Sequence, residues 1–146
     1  MIREQLRKLL RIEQVYAHCD IPCGIYDPFD ALQAADTVIK MVAKLSDLAV
    51  PGGDATVEQK REYHNSFSRF VLAKEEYSEK CKKEVLILWT DYFNEQNSGA
   101  FKEELHAAVW NATKLCSFNK RNVDLTKANE LKAAVQKVAE LFQRTK

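Results

Sequence analysis

Apolar residues recur at spacings of three and four along most of this chain, the period of one buried face of an α-helix. Leu32, Ala35, Ile39, Val42, Leu45 and Ala49 form the first stripe. Asp27 opens it as an N-cap ahead of Pro28 at the first helical position, and Pro51-Gly52-Gly53 closes it. Thr56-Val57-Glu58-Gln59 is a capping-box pattern, and the run it opens meets no glycine or proline through Phe93, so a long second helix is expected before the break at Asn94 to Gly99. Phe101, Leu105, Ala108, Ala112 and Leu115 mark a third helix. After the polar stretch Asn119 to Asp124, the residues Ala128, Leu131, Val135, Val138 and Phe142 mark a fourth. No strand-like alternation or internal repeat competes. The pattern predicts an all-α protein, an up-down-up-down four-helix bundle over residues 29–146.

Composition agrees with one modest globular domain. The chain has 146 residues, of which 46% are hydrophobic and 29% charged, enough to bury a core without covalent staples. Its formal charge is +1, but Arg3, Arg7, Lys8 and Arg11 sit in the first 17 residues against Glu4 and Glu13. The 22 basic residues less those four, and the 21 acidic less those two, leave 18 and 19. A net −1 gives no basic footprint for nucleic acid. The longest unbroken apolar run, Val85 to Trp89, falls far short of the roughly 20 residues of a membrane span. Residues 1–17 lack the apolar core of a secretory signal, so a cytoplasmic location is expected. Four cysteines in such a chain point to thiols or metal ligands before a disulfide framework. Cys81 and Cys116 fall on or beside apolar stripes and read as small buried hydrophobes without an assigned role.

The chemistry concentrates in the run His18-Cys19-Asp20-Ile21-Pro22-Cys23-Gly24-Ile25-Tyr26-Asp27-Pro28, which gathers an imidazole and two thiols within six residues beside a proline. Cutting after Ala17 removes a 17-residue leader and leaves His18 with a free amine. The amine, the imidazole, the Cys19 amide nitrogen and two thiolates can then converge on one ion. Ile21-Pro22 can reverse the chain so that Cys23 supplies a second thiolate near the first, and Gly24 is expected to leave room for close backbone packing. Square-planar nitrogen and sulfur donation suits nickel(II) or copper(II), whereas zinc favours a tetrahedral set.

The run from His18 to Pro28 resembles the metal hook of the nickel superoxide dismutases, and Trp89-Thr90-Asp91-Tyr92-Phe93 and Glu104-Leu105-His106 are similar to later landmarks of that family. The resemblance implies a leader, residues 1–17, removed by a processing protease, a nickel hook over 18–28, and one nickel ion per subunit held by His18, Cys19 and Cys23. It implies disproportionation of superoxide to dioxygen and hydrogen peroxide by Ni(III)/Ni(II) cycling. It places Asp20 and Tyr26 on the approach to the metal, and it implies a homohexamer with the hook held between subunits and a cis bond before Pro22. One position departs: the family's glutamate partner of the hook histidine matches Ala34, while the arginine assisting that pair matches Arg69. Asp30, Gln33 or Asp36 are candidate substitutes for the missing carboxylate. Two other readings use the same residues: a nickel or copper carrier without catalysis, and a redox protein in which Cys19 and Cys23 form a reversible disulfide. His64 and His106 have no ligand-spaced companions and read as structural.

Overall fold

The computed structural model describes residues 24–146, so His18, Cys19, Asp20, Cys23 and the leader lie outside the described residues. Four long helices account for most of the chain: α1 (Phe29–Asp47), α2 (Val57–Ile87), α3 (Lys102–Arg121) and α4 (Leu125–Gln143). Each packs on its sequence neighbour and α4 closes the ring against α1, the up-down-up-down arrangement that short connections impose.

The helix starts follow the expected signals. The Asp27 carboxylate accepts the Phe29 N–H at 2.6 Å, with Pro28 in helical conformation inside the first turn. Thr56 and Gln59 form a reciprocal capping box, and Asp124 accepts the Lys127 N–H at 2.9 Å. The ends differ more. α1 stops at Asp47, short of the proline, and Leu48 is already extended. The second run does reach Tyr92, but its last turn, Leu88–Tyr92, widens to a π-helix in which the Phe93 N–H reaches back to Leu88 O. Asn94 to Gly99 is not a simple break: Asn94 caps a single helical turn, Glu95–Ser98, and a 3₁₀ turn at Gly99–Phe101 leads into α3. α3 also continues through Asn119 to Arg121, which sequence polarity had placed in the connection.

The core is built of α1 positions Ala31, Ala34, Ala35, Val38 and Val42 against Cys81, Val85 and Leu88, with Leu105, Ala112 and Cys116 from α3 and Leu131, Val135, Val138 and Phe142 from α4. The small residues of α1 let neighbouring helices approach closely, and the branched and aromatic side chains of α4 fill the space. Cys81 and Cys116 are buried free thiols, as expected. Their mutual hydrogen bond, reinforced by burial, pushes the Cys81 thiol far above its ordinary range. It therefore stays protonated and unreactive.

One buried charge needs an account. Lys74 is 2% exposed, yet its ammonium donates to the carbonyls of Asn119 and Lys120, each at 2.6 Å. Those carbonyls belong to the last turn of α3, where backbone acceptors lack helical partners and the helix dipole favours a cation. Burial lowers the lysine pKa, and the nearby Glu75 carboxylate opposes that effect. No α2 residue before Lys74 is buried, so the first half of this helix has no core of its own.

Candidate metal centre

The hook enters the described residues at Gly24. Its φ of +70° is the left-handed conformation that L side chains rarely adopt, and a Cβ placed there would meet nothing within 4 Å. Backbone conformation, not close packing, is the reason for glycine beside Cys23. Two residues later the half-buried Tyr26 packs against the bundle, its ring centroid 5.5 Å from that of Tyr92. Tyr92 in turn lies 4.5 Å from Phe142 and 5.2 Å from Phe93. This aromatic cluster joins the end of the hook to the π-turn and the last turn of α4. Widened turns of this kind are frequent at functional sites.

The cluster has one polar link. The hydroxyls of Tyr92 and Thr145 lie 2.6 Å apart, and Thr145 Oγ1 donates to Phe142 O. With that proton committed, Tyr92 donates and Thr145 accepts. Beyond Thr145, the Lys146 ammonium sits 5.5 Å from the Tyr92 ring centroid and 4.8 Å from that of Phe142. Arg144 stacks its guanidinium over Phe101 at 4.3 Å and donates to Glu104 at 2.6 Å. Glu104 also receives Lys137 at 2.7 Å, and these hydrogen bonds, Lys137 foremost, hold its carboxyl below the usual range. The last turn of the chain is thus fastened beside the hook from three directions.

Ala34 is fully buried between α1 and its neighbours. Of the three side chains considered as substitutes for a carboxylate there, Asp30 is paired with Lys80 at 3.2 Å, Asp36 with Lys132 at 2.7 Å, and Gln33 is exposed. Arg69 is exposed on the first half of α2. Asp30 pairs with Lys80, whereas Lys44 lies over Phe70 at 5.2 Å, which fixes the α1/α2 register. Ala34 is therefore level with the region of Tyr77, and Arg69 is level with Lys44, ten residues or about 15 Å further along the axis. The fold does not bring Arg69 to Ala34. His106 lies between Trp89 and Trp110, at 5.7 and 6.4 Å between centroids, and His64 lies against Tyr63 at 5.3 Å.

Among the described residues, no group of three or more His, Cys, Asp or Glu side chains is gathered for a metal ion. The family described as "Nickel-containing superoxide dismutase" matches residues 13–146. This chain belongs to that family. It is 30% identical over 132 residues to "Superoxide dismutase [Ni]" of Streptomyces coelicolor, covering 90% of each chain. It is 29% identical over 133 residues to the protein of the same description from Streptomyces seoulensis, covering 91% of each. A native nickel superoxide dismutase structure superposes with a TM-score of 0.71 at 28% identity, covering 88% of this chain and 98% of that one. A second structure, with nickel ligation corresponding to the oxidised state, also gives 0.71 at 26% identity, covering 88% and 97%. The chain is a nickel-dependent superoxide dismutase with an all-helical fold, and superoxide is its substrate. No helix among the described residues is long and apolar enough to cross a membrane.

Tyr92 and Lys146 were absent from the candidates drawn from sequence. Tyr92 stood inside the Trp89 to Phe93 landmark, so a signal existed. Lys146 is 120 residues from Tyr26 and had none.

Proposed function

We propose that removal of residues 1–17 exposes the amine of His18, and that His18, Cys19 and Cys23 then hold the nickel ion on which two superoxide ions and two protons become dioxygen and hydrogen peroxide. The observation that carries this reading is the donor set itself, an imidazole and two thiols within six residues, in a chain of this family whose Tyr26, three residues after Cys23, is seated on the bundle. The donors fit nickel: thiolates, an amine and an amide nitrogen suit a square-planar ion. When bound, nickel supplies the one-electron cycling that disproportionation requires.

The protein's own residues supply the rest. Gly24 turns the chain so that Tyr26 anchors the hook, while the Tyr26 ring excludes water on the bundle side and carries a phenol able to orient a small anion. Asp20, two residues from His18, is placed by sequence to act on the approach to the metal. Arg69 lies about 15 Å along the axis from the level of Ala34, and in this reading it serves the site of a neighbouring copy of the chain. A homohexamer with hooks held between subunits fits that placement, and a leader protease and a cytoplasmic location complete the reading. The test is nickel content by elemental analysis with superoxide consumption for Cys19→Ser and Cys23→Ser. Both variants are expected to lose nickel and turnover while keeping the helical circular dichroism of the bundle. Stoichiometric nickel and normal activity in Cys19→Ser would show the coordination to be wrong.

A further inference from the structure

We propose that Cys81 and Cys116 are an oxidation site for hydrogen peroxide, a product of the enzyme's own reaction, and that they close into a disulfide joining α2 to α3. The packing of the two helices places them opposite one another. Along this antiparallel pair, Lys74 reaches Asn119 O at 2.6 Å on one side, and Trp89 lies 5.7 Å from His106 on the other. Between these crossings Lys82 Nζ donates to Ser117 Oγ at 3.2 Å, and those are the residues immediately after Cys81 and Cys116. The two thiols are 0% and 1% exposed, sit in one core cluster and hydrogen-bond to each other. A single buried cysteine is a small hydrophobe. Two in contact on different helices are a dithiol, which has an oxidised form.

The chemistry balances with peroxide alone as oxidant. One sulfur attacks an oxygen of hydrogen peroxide, the O–O bond breaks, and the products are a sulfenic acid and water. The second sulfur then attacks the sulfenic sulfur, its proton leaves with the hydroxyl as another water, and the S–S bond forms. Peroxide gains two electrons and the two thiols lose them. Position decides the product, because a sulfenic acid facing a thiol is captured before more peroxide carries it on to the irreversible sulfinic acid. Rate is a separate matter. The thiolate is the nucleophile, and in the closed core the contact with Cys116 and burial hold the Cys81 proton in place. Oxidation therefore proceeds through transient openings of the seam between α2 and α3, and it registers sustained peroxide in place of single turnovers. Hydrogen peroxide is small and uncharged, which suits entry where a bulkier reagent is excluded.

Two arms test the proposal. In the full-length chain carrying both Cys19→Ser and Cys23→Ser, Cys81 and Cys116 are the remaining cysteines, so the first arm does not depend on the hook. Iodoacetamide is expected to leave both thiols unmodified in the folded chain and to label both in urea. After hours in millimolar hydrogen peroxide, the mass of the chain is expected to fall by two hydrogens and the label in urea to be lost from both positions. Peptide mapping should give one cross-linked fragment holding residues 81 and 116, which dithiothreitol separates. Tying together positions 35 residues apart should raise the unfolding midpoint by roughly 5–10 °C. In the second arm, the nickel-loaded enzyme under sustained superoxide accumulates the same fragment, and catalase prevents it. Thiols that stay reduced, sulfinic and sulfonic acids in place of the cross-link, or a fragment that forms equally with catalase present would each overturn the proposal. So would a lowered midpoint, which would place the cross-link in an opened core. Nickel retained by the doubly substituted chain would instead overturn the hook coordination and leave the cross-link result standing.

Discussion

At the scale of single residues, the bundle depends on polar groups placed where only the fold could use them. Lys74 stands on α2 between Ala73 and Glu75, and its ammonium closes the end of α3 by donating to two carbonyls 45 and 46 residues away. Asn119 beside it donates to Leu115 O and Lys127 O, while its Oδ1 has no partner. Replacing Lys74 by methionine keeps the stem's volume and strands both carbonyls. Lys74→Met is expected to destabilise the fold by about 1–3 kcal/mol, the cost of buried acceptors left unpaired. Urea unfolding checks this: the midpoint should fall with little change in slope, and an unchanged midpoint would mean that solvent reaches those carbonyls. None of this was legible in the sequence. The polarity of Asn119 to Arg121 suggested a connection, and tertiary contacts with Lys74 and Lys127 keep the segment helical.

At the scale of elements, local chemistry was a better guide. Asp27, Thr56 and Asp124 each satisfy N–H groups at a helix start, and these caps act within a few residues, so they can be found without knowing the fold. The π-turn at Leu88–Tyr92 could not, because it arises when a helix must rotate its last residues to seat Tyr92 among Tyr26, Phe93 and Phe142. In the proposed function the leader, residues 1–17, has a chemical role. While His18 is joined to Ala17, its nitrogen is an amide, a poor base committed to the preceding residue. A full-length chain is therefore expected to fold but to load nickel poorly, whereas a chain beginning at His18 loads one ion and removes superoxide. Equal activity per nickel in the two would rule out the amine as a ligand, and one extra residue before His18 should harm loading as much as all 17 do.

At the scale of the whole molecule, α2 outruns its support. Its buried positions begin only at Lys74, leaving Phe67 and Leu72 at 43% and 57% exposure, and Trp110 on α3 is 58% exposed. Surfaces of this kind on a single chain agree with assembly into copies of itself. Sedimentation of the protein is expected to give about six times the mass of one chain, and a monomer at micromolar concentration would remove the assembly from the proposed function. What the sequence determined by itself was local and periodic: four helices from apolar spacing, their caps, and the compact run from His18 to Cys23 that supplies the proposed donor set. Tertiary structure decided whatever depends on distant segments meeting. It placed Tyr92 against Tyr26, brought Lys146 across 120 residues to the same place, set Arg69 about 15 Å from the level of Ala34, and gave Lys74 its acceptors on α3. Periodicity reports which face of a helix is buried, but the register between two helices is fixed only by how their side chains interlock.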